Sequence, residues 1–164
     1  GMGGRGGGGG APAWDAGGWL VAKDRGGPSL GPRRKVGAVI VTADNRPVST
    51  GYNGPPAGLK FNSPCSGFCP RVNNKTEDYD NCVAVHAEAN ALLFASRAQY
   101  EGGTIYINHI CCYSCAKLIA NSGLARVVIQ FENSSRDISK AQALLTSSGL
   151  EVEVIERLTN GNDV

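Results

Sequence analysis

Five short apolar runs, separated by polar and glycine-rich stretches, set the plan of the chain. VGAVIV at 36–41 is a β-branched run of strand length after the loop chemistry of Arg25–Pro32, and it predicts a buried strand. Ala43–Arg46 (ADNR) is turn material, so a second strand over Pro47–Gly51 completes a hairpin. TIYIN at 104–108, RVVIQF at 126–131 and the run Leu150–Ile155 predict three more strands. Between them lie three helical stretches. Val83–Ala98 is helical by propensity and ends at Gly102–Gly103; Cys112–Asn121 is closed by Gly123, and Ile138–Ser148 by Gly149. A shorter helix is predicted over Trp14–Ala22, weakened by Gly17 and Gly18, with Trp14 and Trp19 as core or interface anchors. Strands alternating with helices after an opening hairpin predict an α/β fold, a three-layer α/β/α sandwich with a five-stranded mixed sheet.

Two segments fall outside this pattern. The opening GMGGRGGGGG has almost no side chains to bury against its ordering entropy, so residues 1–13 are expected to be a flexible tail. Gly1 before Met2 has the look of a residue left by a cleaved expression tag. One domain is expected over 14–158, with 159–164 as a flexible C-terminus. Residues 52–81 are rich in Gly, Pro, Asn and Asp and have no period; a loop this long in a compact domain is usually functional or pinned by something.

Composition removes several classes of function. Hydrophobic residues make up 41% and charged residues 18% of the 164, enough to build a core. Sixteen Lys and Arg against fourteen Asp and Glu give a net charge of +2, far from the dense positive surface of a phosphate-backbone binder. No stretch approaches the roughly 18 apolar residues of a membrane span, and no secretory layout is expected at the N-terminus, so a cytoplasmic protein is expected. With six cysteines and two histidines in such a setting, metal ligation is favoured over disulfides.

The chemistry concentrates in His86-Ala87-Glu88 and Cys112-x-x-Cys115. One histidine and two cysteines are a three-ligand set that leaves a fourth position open, the layout of a catalytic zinc; a closed structural zinc would need a fourth protein ligand. Cys112 and Cys115 sit in the first turn of a predicted helix, where free N–H groups and the helix dipole stabilise thiolates. Two thiolates offset the formal charge of zinc and weaken it as a Lewis acid, so activating water needs a base nearby. Glu88 is placed for that role, taking a proton from water and returning one to a ring nitrogen and then to a leaving amine. By itself it would pass as a solvated helix carboxylate.

These residues resemble the H-x-E and P-C-x-x-C signature of zinc nucleobase deaminases. Cys111 stands where that signature has proline. Lys35–Ile155 is similar to the deoxycytidylate (dCMP) deaminase family in VGAVIV at 36–41, STGYNGPPAG at 49–58, the Cys65/Cys69/Cys82 loop, CVAVHAEANALL at 82–93 and CAKLIANSGLARVV at 115–128. The resemblance implies a cytidine deaminase-like fold and hydrolysis at C4 of cytosine with a zinc-activated water, giving deoxyuridylate and ammonia. It also implies a small nucleotide as substrate, a homo-oligomer (dimer or hexamer), and Asn53 as a hydrogen-bond partner of the sugar. Without the resemblance, Asn53-Gly54 is simply a common turn pair.

Cys65, Cys69 and Cys82 with His109 have two readings. They hold a second, structural zinc, as the resemblance to bacterial-type members implies, or some are buried thiols. For the substrate phosphate, Arg33, Arg34, Lys35, Lys117 and Arg136 are candidates, although 33–35 reads equally as a solvated strand entry. Two other functions remain in view: a deaminase acting on a base in RNA or single-stranded DNA, disfavoured by the charge, and a zinc-stabilised interaction module without turnover, which would have no use for Glu88.

Overall fold

The computed structural model describes residues 36–58, 83–132 and 137–157. Five strands form one sheet: β1 (Gly37–Val41), β2 (Pro47–Tyr52), β3 (Thr104–Ile107), β4 (Arg126–Glu132) and β5 (Glu151–Arg157). Their order is β2-β1-β3-β4-β5. β1 runs antiparallel to both β2 and β3, whereas β3, β4 and β5 are mutually parallel. The expected mixed sheet and opening hairpin are therefore both present.

Four helices connect the strands: α1 (Ala87–Leu93), α2 (Arg97–Tyr100), α3 (Tyr113–Ala120) and α4 (Ser139–Ser147). Ala38, Ile40, Ile105, Ile107, Val127 and Ile129 line one sheet face and pack against Ala87 and Ala91 of α1, Cys115, Ala116 and Ile119 of α3, and Ala141 and Leu145 of α4. Alternation along the strands sends Val39, Val41, Tyr106 and Val128 to the other face, where they form a second buried cluster. The described residues thus supply the sheet and one helical layer of the expected sandwich. The segments 14–22, 1–13 and 159–164, and with them the expected first helix and tails, lie outside the described residues.

One element differs from expectation. Residues 83–98 do not form one helix: α1 starts only at Ala87 and ends at Leu93, and α2 begins a new helix at Arg97. Two local interactions explain it. Val85 is extended and exchanges backbone hydrogen bonds with Gly54 (2.8 and 3.2 Å), so the helix cannot start earlier. Further on, the Gln99 side chain accepts from the Ser96 backbone N–H at 2.8 Å, half of a capping box that favours a fresh start there. Gly123 and Gly149 close α3 and α4 as expected, both at positive φ, whereas Gly102, also at positive φ, follows the short α2 and not the single long helix expected before it.

Chain direction places the site. β2 and β3 both end at the edge of the sheet where α1 and α3 begin, so the two helices run parallel with their N-termini side by side. That is the carboxyl end of the parallel strands, where open α/β sheets commonly bind ligands.

Candidate metal and catalytic site

His86 is the N-cap of α1 and Cys112 the N-cap of α3, both with extended backbone. His86 Nδ1 lies 3.4 Å from Cys112 Sγ and 3.5 Å from Cys115 Sγ. The three potential ligand atoms all fall within 4.8 Å of one another, the one such His/Cys/Asp/Glu group among the described residues. A tetrahedral zinc with bonds of about 2.3 Å to sulfur and about 2.1 Å to nitrogen separates those atoms by about 3.6 Å. The donor set and its spacing therefore fit zinc.

The two thiols are driven in opposite directions. The Cys112 thiol is lowered to about 4, chiefly by the hydrogen bond from the Cys115 thiol, with burial opposing and His86 assisting. Its sulfur also accepts the Cys115 backbone N–H at 3.4 Å. Cys115 is raised by that same shared proton and by burial. In the metal-free pair one thiol thus keeps its proton for the other, and a metal ion would displace it. Cys111 is buried and is raised well above the ordinary thiol range by burial, then by the charges of Glu88 and Cys112. It is a packed thiol outside the ligand group.

Glu88, in the first turn of α1, is 3% exposed. Burial pushes its carboxyl up to about 7, against its own backbone N–H and the charge of His86, which pull it down. A carboxyl poised there can both accept and donate a proton near neutral pH.

Asn53 belongs to the same end of the molecule, but its visible contact is structural. Its Oδ1 accepts the Ala87 N–H at 2.8 Å, and its own backbone N–H reaches Val36 O at 3.3 Å. Sequence reasoning missed the rest of this clasp. Ser49 Oγ donates to Ala91 O at 2.7 Å, and Asn90 Nδ2 donates to Tyr52 O at 2.8 Å. A Cβ on Gly51 would come within 2.1 Å of Ala87 O. Ser49 and Gly51 share one face of β2, with Asn53 just beyond its end.

Of the remaining candidates, Cys65, Cys69, Cys82, Arg33, Arg34, Lys35 and Arg136 lie outside the described residues. His109 is half-buried after β3 and takes no part in a metal-holding group among the described residues. Lys117 is exposed on α3, its Nζ 5.9 Å from the Tyr113 ring centroid. No helix of the described residues is long and apolar enough to cross a membrane.

The family model for the cytidine and deoxycytidylate deaminase zinc-binding region matches residues 21–131. The chain belongs to this deaminase family. The deoxycytidylate deaminase of Mycobacterium phage D29 is 49% identical over 105 residues, covering 62% of this chain and 81% of the phage protein. That of Saccharomyces cerevisiae is 34% identical over 145 residues, which is 86% of this chain but 44% of the yeast protein. Among solved structures, the apo dCMP deaminase of cyanophage S-TIM5 superposes with a TM-score of 0.67 at 26% identity, over 88% of this chain and 99% of the other. As in that deaminase, a five-stranded mixed sheet with its helices forms the cytidine deaminase-like fold. The family's zinc-binding region and the spacing of the His/Cys/Cys group are together consistent with a catalytic Zn2+ as cofactor.

Proposed function

We propose that this chain hydrolyses dCMP to dUMP and ammonia. The observation that carries the reading is the meeting of His86, Cys112 and Cys115 at zinc spacing beside a buried Glu88, in a chain whose relatives are named deoxycytidylate deaminases. His86, Cys112 and Cys115 would hold the zinc. When bound, the metal supplies Lewis-acid activation of water at the position the protein leaves open. Glu88 takes the proton from that water, delivers one to N3 of the cytosine ring, and passes another to the leaving amine; its carboxyl near neutral pKa suits both directions. The proton count closes, since water contributes both hydrogens that the departing NH2 and ring nitrogen require and N3–H remains in the uracil product.

Asn53 binds the sugar through its amide nitrogen, its oxygen being committed to Ala87. The working form is a homo-oligomer, dimer or hexamer, for which Leu93 and Phe94, each 75% exposed and adjacent, offer apolar surface. A cytoplasmic setting agrees with Cys111, Cys112 and Cys115, the cysteines among the described residues, standing outside any disulfide.

The test is ammonia release by metal-quantified protein on dCMP, dCTP, deoxycytidine and a single-stranded oligonucleotide. Preferred turnover of dCMP with zinc bound supports the proposal, whereas turnover confined to the oligonucleotide overturns it. A zinc count near two per chain assigns a second ion to the Cys65, Cys69, Cys82 and His109 set; a count near one removes it. Light scattering on the same sample reads the oligomer.

A further inference from the structure

The start of α1 has an unusual division of labour. A helix N-terminus leaves several backbone N–H groups without partners inside the helix; an N-cap side chain ordinarily takes that of N2 or N3, and the N1 group needs another acceptor. Here the N-cap is His86, and its side chain makes no capping hydrogen bond; the imidazole is turned toward Cys112 and Cys115 instead. The Ala87 N–H is met by Asn53 Oδ1 from beyond the end of β2, 34 residues earlier in the chain. With only seven residues, α1 is too short to hold its first turn by helix propensity alone.

We infer that Asn53 is a positioning residue, an external cap that fixes the His86–Glu88 segment against the cysteine pair. The inference rests on the proposed zinc deaminase and adds to it. Ala87 is the residue between the metal-binding imidazole and the proton-transferring carboxylate, so holding its backbone sets the direction of both neighbours at once. The Gly54–Val85 bridge holds the chain immediately before them, and Gly51 lets the helix backbone lie directly on β2. Because a backbone N–H can only donate, it fixes the amide orientation: oxygen toward the helix, nitrogen as the end that can meet a ligand. Asn53 therefore recognises a hydrogen-bond acceptor, such as a sugar hydroxyl oxygen, and not a lone donor.

Asn53→Asp separates the two roles. An aspartate keeps an acceptor for Ala87 N–H, favoured further at a helix N-terminus, but has no nitrogen to offer the sugar. Asn53→Ala loses both. The readout is the rate at which the zinc-loaded, full-length protein gives up its metal to a chromogenic chelator, with no substrate present. Asn53→Ala is expected to release zinc about tenfold faster than the wild type, the size of effect seen when residues behind metal ligands are removed. Asn53→Asp is expected to release at close to the wild-type rate while losing turnover of dCMP. Ser49→Ala, which removes a hydrogen bond to the far end of α1, is the structural control: it should lower the melting temperature without changing zinc release.

Wild-type release from Asn53→Ala overturns the inference, and so does release from Asn53→Asp as fast as from Asn53→Ala. Equal acceleration by Ser49→Ala also overturns it, since general loosening of α1 would then explain the effect. Wild-type protein that takes up no zinc overturns the proposed function and this inference together. Protein that binds zinc but turns over no cytosine nucleotide defeats the function alone, leaving the release rates to decide the role of Asn53.

Discussion

The N-termini of α1 and α3 face the same problem and solve it differently. Each has a proposed zinc ligand at its N-cap, His86 in one and Cys112 in the other. Cys112 does both jobs itself: its sulfur accepts the Cys115 N–H and a thiolate still has lone pairs for a metal. The His86 imidazole is directed at the cysteines and makes no cap bond to its own helix, and the first N–H of α1, that of Ala87, is instead held by Asn53 from just beyond β2. The difference teaches that a ligand's chemistry decides whether its helix can be self-sufficient. A cysteine site can be built within one local turn, whereas a histidine site recruits distant chain.

The sharpest way to break this comparison is at Cys112. Both Cys112→Ala and Cys112→Ser should abolish zinc binding and dCMP turnover. They should part in the zinc-free protein, because serine keeps a cap acceptor and alanine does not, a difference of about 1 kcal/mol by chemical denaturation. Equal stability would show that the sulfur is not a cap. Next in size is Glu88→Gln, expected to lower kcat roughly a thousandfold while metal analysis still finds the zinc; residual turnover above a tenth of wild type would remove Glu88 from proton transfer.

On the α1 side, Gly51→Ala forces a Cβ against Ala87 O and Ala91 N and should cost about 1–3 kcal/mol. It should also speed zinc release, since it moves the backbone that carries His86. Melting curves that match the wild type would show that α1 can retreat without strain. The last test is a pH dependence. Burial raises the folded-state pKa of Glu88 to about 7 from an ordinary 4.5, so folding favours its protonated form. That contribution is complete at pH below about 4.5 and is lost as pH rises toward about 7. The melting temperature of the zinc-free wild type, measured relative to zinc-free Glu88→Gln, should fall across this window and level off above it. A rise would reverse the assigned environment.

Much of this was legible in the chain. The five strands were readable because each is a short β-branched or aromatic run, and α3 and α4 because glycines with positive φ close them. His86, Glu88, Cys112 and Cys115 announced themselves by residue type and spacing. The span 83–98 misled because propensity sees a run of Ala, Leu and Glu but not the pairing of Val85 with Gly54, which is a contact between segments far apart in sequence. Ser96 and Gln99 did mark the second helix start locally. The clasp of Ser49, Gly51 and Asn53 on α1 was hidden for a related reason: a polar residue and a glycine on a strand face look solvated until the helix that lies on them is known.

The far end of the sheet offers a practical use. The hairpin turn at Asp44–Asn45 is exposed and lies one strand length from the proposed ligands, about 15 Å for four or five residues. All three helix-closing glycines lie at that same end, while both ligand-bearing termini lie at the other. A fluorophore attachment point or a short tether inserted between Asp44 and Asn45 would therefore report on, or immobilise, the deaminase without touching the groups proposed to carry its reaction.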